Sequence, residues 1–263
     1  MPLLPLVSVK ASPGVTVSAT AIAAAWPRSR PAPYLVECDA AGGDLAANFG
    51  LTLDPGLVSL AVALERNDDV SGASLRDLLL QHSQELPGGL RVVVAPTSPE
   101  EMRVPLERLA EDLPRADCDV IADCGRLQMP SPHETTPALR LLQRAGLAVV
   151  VTRPVLAELQ HVHVWLPVLT ALRVQVLLLL TPKGQYSAEE ISATLGVRVI
   201  GSLPHDTLGA SMVAGAGGPL LPRRLGLLHA ARGIAAELAA ELPTPATGAL
   251  VDEPRVASLV GGT

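Results

Sequence analysis

The sequence predicts an α/β protein with a central, mostly parallel sheet covered by helices on both faces. Short apolar runs of strand type alternate with longer stretches of helical period, and this alternation is typical of such sheets. Several helical stretches begin at or near a proline, whose missing N–H costs nothing in the first turn of a helix. The 263 residues, 48% of them apolar, suffice for one substantial domain.

The strands and helices are predicted in alternation along the chain. The predicted strands are Leu3–Val9, Tyr34–Glu37, Arg91–Ala95, Val120–Asp123, Leu147–Thr152, Val174–Leu180 and Val197–Leu203. The predicted helices are Thr16–Ala25, Pro99–Leu113, Pro137–Arg144, Pro154–Leu172, Ala188–Leu195 and Pro222–Leu242. Residues 1–242 are therefore expected to form a single domain. Residues 243–263 mix proline, glycine and small side chains without an apolar stripe, which predicts a loosely ordered tail.

Charge and hydropathy exclude several classes of function. The formal net charge is -6 and the pI is near 5.5, whereas DNA binding needs a basic surface that displaces phosphate counterions. The only basic cluster is Arg223–Arg224, so DNA is an unlikely partner. No apolar run reaches the roughly 18 to 20 residues that span a bilayer, and the N-terminus lacks a basic region typical of signal peptides. We expect a cytoplasmic protein that reaches a membrane only through a partner.

The three cysteines predict neither a disulfide nor a metal site. Cys38, Cys118 and Cys124 form no CxxC pair, and each lies in or beside an apolar run of strand type. This arrangement indicates buried thiols in a reducing compartment.

The segment KASPGVT, residues 10–16, predicts a phosphate-binding loop between the first strand and the first helix. In such loops backbone N–H groups at a helix N-terminus surround the phosphates, a lysine reaches the β and γ phosphates, and a Ser or Thr hydroxyl holds magnesium. Gly14 and Thr16 occupy the expected positions, and Lys10 directly follows the strand. Val15, however, stands where the phosphate-binding lysine is normally found.

This segment has the spacing of the deviant Walker A loop, K-G-G-x-G-K-[S/T], and the chain resembles the MinD/ParA family of P-loop ATPases, including its CpaE/TadZ branch associated with pilus assembly. The resemblance implies a P-loop NTPase fold of three layers, a homodimer as the active form, and ATP or ADP with Mg²⁺ as ligands. It implies nucleotide contacts from the loop, with Thr16 also a magnesium ligand. The loop residues concerned are Lys10, Pro13, Gly14, Val15, Thr16 and Val17.

Other segments resemble the family in the same order along the chain. LVECDAAGGDLAANFGL resembles the segment after the second strand, where Asp39 matches the aspartate that positions the attacking water. CDVIADCGR resembles the Walker B strand, in which Asp123 would bind magnesium through water and Gly125 would sense the γ-phosphate. AVVVTRP resembles the step toward the dimer face, and VIGSLPHD resembles the late turn that places Pro204 and Asp206 near the adenine.

Two departures from the family bear on activity. Val15 removes a positive charge from the place where negative charge develops during phosphoryl transfer, so hydrolysis at the family's usual rate is not expected. Thr181 and Pro182 replace an Asn-Arg pair whose asparagine reads the adenine edge. Lys10 is retained, and in the family it reaches the partner subunit's phosphates. Arg126 and Arg153 follow strand ends and are candidates to replace the absent cation.

Several acidic and histidine residues allow a plainer interpretation. Asp44 is expected to cap a helix rather than to pair with Asp39 in acid–base chemistry. Asp123 could be a strand-end aspartate without metal. His161 and His163 would suit a metal on a strand, but their surroundings predict a helix, on which the two side chains point apart.

Three functions remain open from the sequence. The first is a positioning or assembly factor that binds nucleotide weakly or not at all and acts through dimerisation and a protein partner. The second is an active ATP-dependent dimerisation switch for a division, partitioning or pilus machine. The third is a metabolic ligase on the related fold, for which the chain offers no recognisable substrate site.

Overall fold

The computed structural model describes residues 2–10, 13–67, 71–129, 135–182, 184–215 and 226–243. In these residues a single eight-stranded sheet has the strand order β3-β4-β2-β5-β1-β6-β7-β8. The strands are β1 (Leu3–Ser8), β2 (Tyr34–Glu37), β3 (Gln84–Glu85), β4 (Arg91–Val93), β5 (Val120–Arg126), β6 (Leu147–Thr152), β7 (Gln175–Leu180) and β8 (Arg198–Ser202). Every neighbouring pair is parallel except the edge pair of β3 and β4.

Helices connect the parallel strands. They are α1 (Val15–Ala24), α2 (Leu45–Phe49), α3 (Leu57–Glu65), α4 (Gly72–Gln81), α5 (Pro99–Asp112), α6 (Pro137–Ala145), α7 (Leu156–Ala171), α8 (Ala188–Leu195), α9 (Thr207–Val213) and α10 (Gly226–Glu241). A short 3-10 turn at Leu113–Arg115 extends α5. Pro99 and Pro137 occupy first-turn positions, as the sequence predicts.

The sheet separates two apolar layers. One layer packs under α3, α4, α5, α6, α7 and α8, and the other packs under α1, α2, α9 and α10. Side chains of β1 alternate between them: Leu3 and Val7 enter the first layer, whereas Leu4 and Leu6 enter the second. Because β1 is buried on both faces, its ends are the only places where polar groups of this strand can meet a ligand.

The predicted strands and helices are confirmed, and wherever a predicted bound lies in the described residues it agrees with the structure to within three residues. Between residues 45 and 81 the structure adds α3 and α4, which were not predicted. The antiparallel edge strand β3 and the helix α9 were missed as well. These four elements are short, from two to ten residues each, and short elements give weak periodic signals. The predicted start of the last helix, Pro222, lies outside the described residues, as does the tail beyond Pro243.

Two further sequence predictions concern side chains away from the loop. The three cysteines are free and buried, as expected. His161 and His163 lie on α7, which confirms the helix and separates the two imidazoles. Of the helices that the structure describes, none has the length and apolar character required to cross a membrane.

A buried ion pair fixes the end of the sheet opposite the loop. Asp119 is fully buried before β5 and accepts hydrogen bonds from the Arg30 guanidinium at 2.6 and 2.7 Å and from Trp26 Nε1 at 2.9 Å. The same guanidinium donates to the carbonyls of Ala239, Leu242 and Pro243 at the end of α10. Arg30 therefore neutralises a buried carboxylate and satisfies carbonyls that a helix C-terminus leaves without partners.

We expect Arg30→Met to lower the free energy of unfolding by about 3–5 kcal/mol, because the buried Asp119 loses its counter-charge. Urea denaturation followed by circular dichroism measures this change. Arg91→Met is the matched control, since Arg91 pairs at 3.8 Å with the exposed Glu85 and its loss should cost less than about 1 kcal/mol. Equal effects of the two substitutions would contradict the role assigned to Arg30.

Candidate functional site

The loop after β1 ends at Gly14, which begins α1 in a left-handed conformation. Its φ is +90°, a region that glycine enters without the strain of a Cβ atom. The Gly14 carbonyl accepts hydrogen bonds from the Ser18 backbone at 2.9 Å and from Ser18 Oγ at 2.8 Å. Among the described residues no side chain caps the N-terminus of α1, and no acidic residue lies in its first turn. Such an N-terminus favours an anion through its N–H groups and its dipole.

Val15 is the first residue of α1 and offers this N-terminus no charged group, unlike the lysine normally found at this position. Its side chain is 6% exposed and packs in the apolar layer under α1 and α10. Val17, in the same turn, is half-buried against that layer. The position therefore contributes to the core of the protein and supplies no charge to the loop.

Asp123 is the buried carboxylate of the site. It lies on β5 in register with Leu6 of β1, and its side chain is 2% exposed. Burial raises its pKa to about 7, although the Thr16 hydroxyl and the Gly125 N–H, which donates to Oδ1 at 3.2 Å, both favour the charged form. The structure thus brings Thr16 and Asp123 together beside the loop.

Asp39 lies against Gly125 across the ends of β2 and β5. Gly125 has a φ of +56°, and a Cβ atom at this position would overlap the Asp39 carboxylate. Asp39 Oδ1 accepts from the Ala41 N–H at 2.8 Å, which holds the side chain in place. Burial raises the pKa of Asp39, whereas the nearby Arg126 charge lowers it. The structure therefore brings Asp39, Asp123 and Gly125 to one edge of the sheet.

Glu37 supports this edge, and the sequence did not identify it. The Glu37 side chain is 2% exposed and accepts three backbone hydrogen bonds, from Asp44 and Leu45 at 2.7 and 2.9 Å and from Ala95 at 2.9 Å. Burial raises its pKa despite these donors. Asp44 begins α2 as predicted, but its side chain forms no capping bond, and Glu37 caps the helix instead. A charged residue inside the apolar run LVEC was the signal for a buried, paired carboxylate.

The three candidate cations differ in their surroundings. Lys10 is exposed in the turn after β1, and Arg126 is exposed at the end of β5 near Asp39. Arg153 is instead engaged by the buried Glu158, whose carboxylate accepts from Arg153 Nε at 2.6 Å and from its backbone N–H at 2.9 Å. Arg153 is therefore less available to a ligand than Lys10 or Arg126.

Thr181 connects the loop to the other side of the sheet. Its hydroxyl, buried at the end of β7, donates to the Pro13 carbonyl at 2.7 Å. Its backbone N–H donates to the Thr152 carbonyl at 2.9 Å, which anchors the residue to β6. Thr181 stands where the family resemblance predicts an asparagine. Its hydroxyl is engaged in the hydrogen bond to the Pro13 carbonyl of the loop.

Asp206 joins two helices at the edge after β8. Asp206 Oδ1 accepts from the Gly209 N–H at 2.8 Å and caps α9, while Oδ2 accepts from the Leu227 N–H at 3.0 Å at the start of α10. These backbone donors lower the pKa of Asp206. Pro204, two residues earlier, is exposed. The carboxylate thus has a structural role besides the adenine contact predicted for it.

The residues around the loop fit the Mg²⁺ ion of a magnesium nucleotide but lack the lysine that would contact its phosphates. Mg²⁺ is usually held by one or two protein oxygens together with phosphates and waters, and Thr16 and Asp123 supply such oxygens. Within the described parts of the chain, no cluster of three or more His, Cys, Asp or Glu residues is arranged to hold a metal on its own. The phosphate contact normally made by a lysine is missing, because Val15 is buried and apolar.

Comparison with solved structures identifies the architecture. A ParA family ATPase from Chlorobium tepidum matches with a TM-score of 0.71 at 19% identity, over 89% of this chain and 98% of its own. The cell division ATPase MinD from Pyrococcus furiosus matches with a TM-score of 0.68 at 18% identity, over 92% of this chain and 100% of its own. This chain has the MinD/ParA fold.

The MinD/ParA fold is retained here at low sequence identity. The septum site-determining protein MinD of Pyrococcus horikoshii, solved with Mg-ADP, matches with a TM-score of 0.62 at 17% identity, over 90% of this chain and 95% of its own. Neither a protein-family model nor a curated protein sequence matches the chain. The sequence resemblance to MinD/ParA proteins is therefore confirmed at the level of the fold.

We expect Gly125→Ala to be more destabilising than Gly146→Ala. Both glycines have a positive φ, +56° and +72°, but a Cβ at Gly146 meets no atom within 4 Å, whereas one at Gly125 overlaps Asp39. The backbone strain alone should cost about 1–2 kcal/mol in each variant. The displaced Asp39 should add about 1–3 kcal/mol in Gly125→Ala only, measured by urea denaturation. Equal losses would show that Asp39 moves away without cost.

The raised pKa of Asp123 predicts a loss of stability as the pH rises. The folded chain retains this proton up to about pH 7, whereas an unfolded aspartate loses it near pH 4. The folded state therefore binds more protons between these values, and the stability due to Asp123 is lost as the pH passes through 7. Urea denaturation at about pH 5.5 and pH 8 should show a larger loss for the native chain than for Asp123→Asn. Parallel losses would refute a buried protonated Asp123.

Proposed function

We propose that this protein is a positioning or assembly factor that binds nucleotide weakly and does not hydrolyse it at a useful rate. The observation that carries the proposal is a buried, uncharged Val15 at the start of α1, in a loop that keeps Gly14 and Thr16 beside Asp123 of β5. The loop can still accept an anion, but its strongest contact with the terminal phosphates is absent.

Binding is supported by the geometry of the loop and by a solved relative. The N-cap residue Gly14 provides no side chain to cap the first turn of α1, and Thr16 lies beside Asp123. The MinD of Pyrococcus horikoshii, which shares the fold, was solved with Mg-ADP. We infer that this chain accepts ATP or ADP with Mg²⁺ at the same loop, with Asp123 ionised when the metal is bound.

We expect no efficient hydrolysis, because the loop is surrounded by acidic side chains and lacks the usual cation at position 15. Glu37, Asp39 and Asp123 are acidic and buried to different degrees, whereas Val15 supplies no cation to offset them. Removing one preorganised group that stabilises transition-state charge typically costs about 100- to 1,000-fold in rate. Arg153 does not compensate, because Glu158 holds its guanidinium.

Protein partners are favoured over DNA by the surface. The net charge of -6 opposes phosphate backbones. Helix α7 instead exposes apolar side chains, with Leu156 54% and Val164 55% exposed. We infer a homodimer and a protein partner as the chain's assemblies, with the membrane reached only through such a partner and the cytoplasm as the place of action.

An active ATP-dependent switch is the second candidate, and Lys10 favours it. This lysine is exposed directly after β1, and among the described residues no carboxylate pairs with it. Asp39 lies against Gly125, and in a switch of this kind it would orient the attacking water. A switch of this kind would dimerise with ATP and hydrolyse it slowly despite Val15.

Calorimetry with Mg-ATP and Mg-ADP tests the proposal on the native chain, Lys10→Ala, Val15→Lys and Val15→Met. We expect native dissociation constants weaker than about 100 μM and at least 10-fold tighter binding by Val15→Lys, since the new ammonium can reach the phosphates. Val15→Met is the matched control, because it has a similar length without charge and should bind like the native chain.

The two candidate functions predict opposite results. Micromolar binding by the native chain that Lys10→Ala abolishes, together with ATP-dependent dimerisation and phosphate release, would identify the switch and overturn the proposal. Light scattering with and without Mg-ATP gives the oligomeric state. For the proposed assembly factor, the dimer should be independent of nucleotide and should survive both Lys10→Ala and Asp123→Ala.

A further inference from the structure

Two of the three cysteines face each other across neighbouring strands. Glu37 of β2 is in register with Asp123 of β5, which makes Cys38 and Cys124 the next facing pair. The Cys38 N–H donates to the Asp123 carbonyl at 2.6 Å, so the parallel pairing continues to these residues. Facing residues on adjacent strands lie about 4.8 Å apart. Both cysteines point to the same face of the sheet, into the apolar layer under α3 to α8.

The two thiols are in contact and shielded from water. Each cysteine is 1% exposed. The hydrogen bond with the Cys38 thiol raises the pKa of Cys124 well above its usual range, and burial adds to this effect. Cys124 therefore keeps its proton in the folded chain, and the pair is at rest as a dithiol. The strand separation of about 4.8 Å lies within the Cα–Cα range of about 4.4–6.8 Å that a disulfide spans.

A small oxidant has a short path to this pair. Asp39, directly after Cys38, is partly exposed, and Arg126, two residues after Cys124, is exposed. Strand ends open locally at a lower free energy than the centre of a sheet, and a brief opening is enough to admit a molecule as small as hydrogen peroxide. Burial makes the reaction slow, because the thiolate is the reactive form of a cysteine.

We propose that Cys38 and Cys124 form a redox modification site, which a peroxide converts into a disulfide between the ends of β2 and β5. One cysteine, as its thiolate, attacks the peroxide O–O bond and becomes a sulfenic acid, and the first water is released. The second thiol then attacks the sulfenic sulfur, the S–S bond forms, and the hydroxyl leaves as the second water. The dithiol thereby loses two protons and two electrons, which reduce the peroxide. In a reducing compartment, thiol–disulfide exchange restores the dithiol.

The disulfide would act directly on the acidic edge of the sheet. Cys38 precedes Asp39, and Cys124 precedes Gly125, against which the Asp39 carboxylate lies. A covalent link between the two cysteines fixes the separation of the strand ends that carry Asp39 and Gly125. This edge should therefore open less often in the oxidised chain than in the reduced chain. The site is defined by the thiols and does not depend on nucleotide binding.

Peptide mapping of the full chain tests the site after treatment with hydrogen peroxide, followed by N-ethylmaleimide in denaturant. We expect a cross-linked peptide pair that contains Cys38 and Cys124, and alkylation of Cys118 alone. Dithiothreitol should return all three thiols to the alkylated form. Cys118 is the internal control: it is also buried, but it lies six residues before Cys124, about 20 Å along an extended chain.

Serine variants show whether the two thiols act as a pair. Cys118→Ser should form the same cross-link, whereas Cys38→Ser and Cys124→Ser should stop at a sulfenic acid that dimedone traps, or proceed to a sulfinic acid. Circular dichroism confirms that each variant is folded. A cross-link that includes Cys118 would overturn the inference. Oxidation of the native pair without a link, or no reaction until the chain is denatured, would overturn it as well.

Hydrogen exchange followed by mass spectrometry measures the effect on the edge. Peptides that cover residues 36–44 and 120–127 should exchange at least about 3-fold more slowly in the oxidised chain than in the reduced chain. Cys38→Ser, treated with the same peroxide, is the matched control and should show no slowing. Equal or faster exchange in the oxidised native chain would refute the restraint. Both experiments are done without nucleotide, so a failure of nucleotide binding would overturn the proposed function and leave these results unchanged.

Discussion

The burial of β1 on both faces determines where the loop, the acidic residues and the start of α1 lie. All six of its residues are buried, and its neighbours β5 and β6 run parallel to it, so the carboxyl ends of the three strands meet at one edge. The polar groups there have little water and must pair with one another, as Asp123 does with the Gly125 N–H and the Thr16 hydroxyl. The loop, the acidic edge and the start of α1 are thus positioned by the same apolar strand.

The buried acids explain why the absence of a lysine matters so much here. Burial raises the pKa of Glu37, Asp39 and Asp123, which means that the protein environment already opposes negative charge at this edge. A phosphate placed nearby meets the same opposition unless a cation accompanies it. With Val15 in the core, that cation must be Mg²⁺ or an exposed side chain such as Lys10 or Arg126.

The sequence predicted the parts of the fold that depend on local pattern. The seven predicted strands and the loop at Gly14 are present, because apolar runs and a glycine before a helix are visible in a short window. The roles of Thr181 and Asp206 were not predictable in this way, since Thr181 meets Pro13 across 168 positions and Asp206 meets Leu227 across 21. Glu37 was not identified either, because its three backbone donors come from Asp44, Leu45 and Ala95 and are not visible in the run LVEC.

Thr181 and Asp206 also show why this fold alone does not determine a function. A TM-score of 0.71 at 19% identity means that the apolar layers can be rebuilt from different side chains while the backbone path is kept. The polar positions at the strand ends are under a different constraint, because a side chain that satisfies a loop carbonyl or caps two helices is no longer free for a ligand. In this chain Thr181 braces the loop through Pro13, and Asp206 joins α9 to the start of α10. Both side chains therefore serve the fold, and a likeness in fold does not assign them a ligand.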